Sequence, residues 1–196
     1  TDVDLYKNAD IAMYHAKTMG GNSYQFFSQE LNKKAEERFA LENGLRVALE
    51  NNEFELYFQP VINHLENNVT GVEALIRWNS PQRGIVPPGS FIPVAEETGI
   101  IIDSTDWVIT RSFEFLKDIT KAGFPDLYVS LNITSHQFSG GRLAASIESR
   151  GEDFSALAGR IIFEINENSI MNNTDHIIKP MRLLKAKGFR FSIDDF

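Results

Sequence analysis

Apolar residues recur at helical spacing from the start of the chain. Leu5, Ala9, Ala12, Met13 and Ala16 fall three or four positions apart, which predicts a helix over 4–18. Gly20-Gly21-Asn22 ends it, because glycine and asparagine accept the left-handed backbone that closes a helix. Tyr24-Gln25-Phe26-Phe27 reads as a short strand. Leu31, Ala35, Phe39, Leu45, Ala48 and Leu49 then form one stripe of a long helix over 29–51 whose other faces carry Lys and Glu.

From residue 54 the period changes. Phe54–Ile62 and Val69–Trp78 read as strands. A Pro- and Gly-rich stretch follows over 81–99, with a short helical piece at Phe91–Glu97. Asp103 is placed to cap a helix over 104–122, with Asp106 in its first turn and Gly123 at its end. Strands at 127–133, 160–165 and 189–195 then alternate with helices at 142–150 and 174–187, the last stopped by Gly188. Such alternation implies a parallel sheet or barrel. Ile161-Ile162-Phe163 is apolar on both faces, as a sheet covered on both sides requires.

The strand Gly71-Val72-Glu73-Ala74-Leu75-Ile76-Arg77-Trp78 breaks that apolar pattern. Side chains two apart share a strand face, so Glu73, Leu75 and Arg77 point the same way. Four residues at ~3.3 Å each put Glu73 and Arg77 about 13 Å apart, too far for a salt bridge and suited to two ends of one polyanion. A buried carboxylate needs a cation or hydrogen-bond partner, so this strand either holds an internal pair or lines a site.

Later strands repeat the feature. Asn132, Glu164 and Asp194-Asp195 stand where their strands end. Groups at the C-terminal ends of parallel strands converge in α/β folds. Taken singly, each has an ordinary reading: a solvated acid, a turn cap at Asn132, a helix cap at Asp194-Asp195. Their succession beside Glu73 points instead to an all-oxygen cluster suited to Mg²⁺ or Mn²⁺. Two adjacent aspartates suit a pair of metals that activates water for attack on a phosphodiester.

Composition narrows the classes. With 42% hydrophobic and 23% charged residues the 196-residue chain is ordinary globular protein, and a net charge of -8 argues against binding a nucleic-acid polymer. Cysteine is absent, which excludes disulfides and thiolate metal sites. The four histidines (His15, His64, His136, His176) show no ligand spacing and read as surface residues. Tyr14 and the phenylalanines near 26 and 113 read as core. No apolar run approaches the ~20 residues of a membrane helix, and no signal-peptide pattern opens the chain. A cytoplasmic setting fits. No Gly-rich dinucleotide fingerprint or P-loop lysine occurs, so a barrel is favoured over a nucleotide-binding open sheet.

These residues also resemble a known family. Glu73-Ala74-Leu75 with Arg77 resembles the signature of the EAL domain, the bacterial cyclic di-GMP phosphodiesterase. Tyr57-Phe58-Gln59-Pro60, Gly84-Ile85-Val86-Pro87-Pro88, Phe91–Gly99, Leu131-Asn132-Ile133-Thr134, Phe163-Glu164-Ile165 and Ile193-Asp194-Asp195-Phe196 are similar to its further motifs and follow in family order. Residues 1–28, with Asn8-Ala9-Asp10-Ile11-Ala12-Met13-Tyr14, resemble the C-terminal end of a GGDEF domain; 29–52 would be a connecting helix and 53–196 the N-terminal part of the EAL barrel.

The resemblance implies a TIM-like (β/α) barrel whose first strand is antiparallel, incomplete in this chain. It implies Glu73, Asn132, Glu164, Asp194 and Asp195 as ligands of Mg²⁺ or Mn²⁺, with Glu73, Asp194 and Asp195 catalytic, and Gln59, Leu75 and Arg77 contacting cyclic di-GMP. It also implies a homodimer through the EAL domain and upstream GGDEF and sensory domains. The family continues past Asp195-Phe196 with Gly-Thr-Gly, a lysine and a further glutamate. A molecule of these residues alone is therefore expected to be inactive unless another chain completes the barrel. The alternative is an inactive receptor that binds cyclic di-GMP and regulates a partner; intact metal ligands favour the enzyme.

Overall fold

The computed structural model describes residues 2–18, 20–138, 141–167 and 174–194. They form two compact units, residues 1–47 and 48–196. The first contains α1 (Asp2–Thr18) and most of α2 (Gln29–Ala48). On α1 the small residues Ala12 and Ala16 are buried, and Arg38 of α2 lies over the Tyr14 ring at 5.6 Å. Residues 23–28 are irregular, not the expected strand, because no neighbouring strand among the described residues of this unit offers a ladder. Phe26 is 81% exposed, and Tyr14 and Phe39 are exposed as well, against the expectation of core and stripe. Within this unit two helices and an extended segment have too little surface to cover these rings.

The second unit is α/β with a mixed sheet. β1 (Phe54–Asn63) and β2 (Asn68–Ser80) pair antiparallel, from Phe54 opposite Trp78 to Asn63 opposite Asn68. The hairpin turn is fixed by Asn63, whose side-chain oxygen accepts from the Leu65 amide at 2.9 Å. A short β3 (Gly84–Val86) also pairs with β2. Then come α3 (Pro88–Thr98) and α4 (Ile101–Lys121).

α3 is longer than expected, since Pro88 at its first turn has no amide to lose. α4 begins at Ile101 and not at an Asp103 cap. Gly99 takes φ 79° and turns the chain straight into the second helix, burying Ile101 and leaving Asp103 in the first turn. There its charge complements the helix dipole without capping an amide.

β4 (Tyr128–Asn132), β5 (Ile161–Asn166) and β6 (Arg190–Asp194) run parallel to β2, in the spatial order β1-β2-β4-β5-β6. Between them lie α5 (Ser135–Phe138), α6 (Arg142–Glu148), α7 (Glu152–Ala156), a 3-10 turn (Ala158–Arg160) and α8 (Thr174–Ala186).

One face of the sheet makes the core. Val72, Ala74, Val129, Leu131, Ile161, Phe163 and Ile165 pack with Ile109 and Leu116 of α4, Leu143 and Ile147 of α6, and Ile177 and Leu184 of α8. At the start of the hairpin the buried Trp78 ring lies 6.4 Å from Phe54 and 6.0 Å from Phe91, and its Nε1 donates to Glu53 at 2.9 Å. The parallel register Gly71–Tyr128 and Glu73–Ser130 depends on a missing side chain. A Cβ at Gly71 would stand 2.5 Å from the Tyr128 ring. No helix among the described residues is long and apolar enough to cross a membrane.

Candidate active site

The opposite sheet face carries the polar residues, because strand periodicity sends every second side chain there. Along β2, Val72, Ala74 and Trp78 are buried, while Glu73, Leu75 and Arg77 are half-buried. On β4 the residues of this face are Ser130 and Asn132. On β5 they are Ile162, Glu164 and Asn166, and on β6 Ser192 and Asp194. Register sets Asn132 beside Glu164, Glu164 beside Ser192, and Asn166 beside Asp194. Gln59 of β1 is opposite Glu73 and exposed, and Tyr57 is opposite Leu75.

Asn132 donates through Nδ2 to Glu73 Oε1 at 2.8 Å, a contact spanning 59 residues of sequence. Ile133, just past β4, donates its amide to the Glu164 carbonyl at 2.8 Å, which carries the ladder one residue beyond the strand. The Glu164 carboxyl is pushed above its ordinary range. Burial is the main cause, the Glu73 carboxylate the next, and Asp194 adds to both; a hydrogen bond from Ser130 works against them. Glu164 thus feels Glu73 and Asp194 as like charges.

This set fits a divalent cation in donor chemistry: the donors are oxygens, and burial together with the neighbouring carboxylates disfavours the charged form of Glu164 where no cation offsets it. Among the described residues, no three histidine, aspartate or glutamate side chains are close enough to hold a metal by themselves. The amide of Asn132 belongs to the set, and Asp195 lies outside the described residues.

Arg77 stands apart from these acids, as the strand spacing requires. Its guanidinium carbon is 5.6 Å from the centre of the Tyr57 ring, and Nη1 donates to the Ile76 carbonyl at 2.9 Å. On the helix side of β2 and β4 is a cavity of about 180 Å³, lined by Ala74, Ile76, Pro88, Ile101, Val108 and Gln137 among others. Sequence reasoning did not select Ser130 or Tyr57 for the site. Each lies two residues before a selected one, Asn132 and Gln59, so the strand period carried the signal.

A family model described as the EAL domain matches residues 42–196. The chain belongs to the EAL domain family. Its second unit accordingly has the α/β architecture of the EAL type, a mixed sheet with the antiparallel β1–β2 pair at its start. Among curated relatives of this EAL chain, the bifunctional diguanylate cyclase/cyclic di-GMP phosphodiesterase MucR of Pseudomonas aeruginosa is 36% identical over 193 residues, 98% of this chain and 28% of that protein. The cyclic di-GMP phosphodiesterase NbdA of the same species is 33% identical over 193 residues, 98% of this chain and 25% of that protein. The chain thus spans about a quarter of the length of these relatives. Among solved structures, the PaMucR phosphodiesterase in complex with c-di-GMP superposes with a TM-score of 0.74 at 32% identity, covering 80% of this chain and 64% of that one. The EAL enzyme Bd1971, in a form with cAMP and cyclic di-GMP bound, gives a TM-score of 0.73 at 29% identity, covering 99% of this chain and 51% of that one.

Proposed function

We propose that this EAL domain supplies metal and substrate side chains of a metal-dependent phosphodiesterase that hydrolyses cyclic di-GMP to the linear dinucleotide. The observation that carries the reading is the Asn132–Glu73 hydrogen bond beside a Glu164 carboxyl raised by burial first and then by Glu73 and Asp194. An acid cluster of that kind, at the ends of adjacent strands, costs stability unless a cation answers it. The phosphodiesterases among its relatives support the same reading.

Glu73, Asn132, Glu164 and Asp194, with Asp195, would hold Mg²⁺ or Mn²⁺. When bound, such ions acidify water and offset the charge that builds on the phosphate during in-line displacement. The chain's own residues do the rest. Arg77 has no carboxylate partner among the described residues, so its forked donors are available to a phosphate oxygen. Leu75, half-buried on the same strand face as Glu73 and Arg77, presents an apolar contact for a base or ribose. Gln59, opposite Glu73, offers an amide to the substrate from β1. Water adds across one P–O bond: its oxygen joins phosphorus, and its protons are shared between solvent and the departing sugar oxygen. The reading extends to a cytoplasmic protein that dimerises through this domain and is governed by upstream GGDEF and sensory domains. The sequence resemblance of residues 1–28 supports the last point.

The test is hydrolysis of cyclic di-GMP by the protein that carries this chain, with Mg²⁺ or Mn²⁺ against a chelator, and with binding followed in parallel. Cleavage that needs the metal and is lost in Glu73→Ala is the expected result. Tight binding with no cleavage in any metal would replace the enzyme by a receptor.

A further inference from the structure

The chain past Asn132 is fastened in an unusual way for so short an element. α5 has only four residues, too few for helical cooperativity to hold it. Gln137 inside it is 6% exposed, and a buried amide is costly unless both ends are paired. Both ends are paired. Its Oε1 accepts from the Thr134 amide, and its Nε2 donates to Thr105 Oγ1 on α4. Thr105 in turn donates to the Ile101 carbonyl at 2.6 Å, so its hydroxyl is oriented to accept. The Gln137 backbone N–H also donates to the Thr134 carbonyl at 3.2 Å. Residues 133–134 are thereby gripped from two sides: Ile133 by the β5 carbonyl of Glu164, Thr134 by Gln137.

Asn132 itself is exposed, and its side chain bonds to Glu73. An exposed amide has several rotamers open to it; its placement is inherited from the backbone that follows. That backbone is held by a buried polar link to α4.

We propose that Gln137, through Thr105, is a positioning residue for Asn132: it fixes the turn after β4 so that the Asn132 amide stays on Glu73 and within the metal-ligand set. This rests on the metal reading of the site given above. It adds a residue of the opposite sheet side, which touches neither substrate nor metal. Residues outside the first ligand shell that orient ligands typically change metal affinity by about 10-fold or more when lost.

A second link, from α4 to α6 and the residue Arg150 after it, provides the control. Asp106 accepts from Ser146 and pairs with Arg150 at 3.1 Å, and Arg150 donates to Thr110 Oγ1 at 2.6 Å. These contacts fasten α6 and the residues after it, not the turn next to Asn132.

The experiment uses the full protein and reads Mn²⁺ binding from the free-ion electron paramagnetic resonance signal, with thermal midpoints recorded alongside. Thr105→Val and Gln137→Leu are expected to weaken Mn²⁺ binding about 10-fold. Thr105→Ser, which keeps the accepting hydroxyl, is expected to bind as the wild type does. Arg150→Met is expected to lower the thermal midpoint while leaving Mn²⁺ affinity unchanged. If Thr105→Val and Gln137→Leu lose thermal stability but hold Mn²⁺ as the wild type does, the link is structural only and the proposal is overturned. A wild type that fails to bind Mn²⁺ would overturn the metal reading itself, and this role with it.

Discussion

Arg77 rests its guanidinium on the face of Tyr57, 5.6 Å from the ring centre, across the antiparallel β1–β2 pair. Its neighbours on the same strand face are Leu75 and Glu73, and no carboxylate among the described residues claims it. A half-buried cation held by a ring and a carbonyl is oriented without being neutralised. That arrangement suits capture of an anion, since no ion pair has to break first.

Tyr57 should therefore support ligand binding through Arg77. A cation–π contact at a partly exposed site is worth about 0.5–1 kcal/mol, which is a 2- to 5-fold change in affinity. Tyr57→Leu is expected to weaken cyclic di-GMP binding by that factor, and Tyr57→Phe to leave it unchanged. Calorimetry with the metal chelated prevents turnover from confusing the reading. In the Arg77→Ala background, Tyr57→Leu should add almost nothing; additive losses would show that the two side chains act separately.

The register that aligns β2 with β4 has its own test. Gly71 faces Tyr128 so closely that an added methyl group would meet ring carbons at 2.5 Å. Relief requires the Tyr128 ring or the strand pair to shift, and overpacking of this kind costs about 1–3 kcal/mol. Gly71→Ala should lower the unfolding free energy by that amount in urea titrations. Tyr128→Ser should restore most of it in the double variant, because the conflict is with the ring. If the double variant is as unstable as Gly71→Ala, the glycine is needed for its backbone and not for space.

Much of this was legible before the structure. The succession of parallel strands and the polar residues of one sheet face follow from the period of two, since one buried face forces the alternation. Asn132, Glu164 and Asp194 were selected as strand-end residues, and the register places Asn132 beside Glu164. What escaped was set by tertiary packing. Asp103 looked like a helix cap, yet Gly99 and the burial of Ile101 start α4 earlier. Tyr24–Phe27 had strand composition but no partner strand among the described residues of its unit. The link from Gln137 to Thr105 joins residues 32 apart in sequence and carries no motif of its own.

Glu164 gives the pH dependence. Burial first, then Glu73 and Asp194, raise its carboxyl above the ordinary value of 4.5. The metal-free native state then holds more protons than the unfolded chain between 4.5 and the raised value, so stability falls as pH rises through that interval. Above the interval the penalty persists in full; below 4.5 it vanishes, because both states are protonated. Glu164→Gln keeps the shape and removes the charge. In chelator, its thermal midpoint should exceed that of the wild type at pH 7–8, and the two should converge as the pH falls. Excess Mn²⁺ should reverse the order: a cation that binds only the folded wild type stabilises it by mass action, and the amide forfeits that gain. Scanning calorimetry of both proteins across pH, with and without Mn²⁺, reads all of this. Parallel curves in chelator would mean that Glu164 carries no penalty, and an equal Mn²⁺ shift in both proteins would remove it from the metal site.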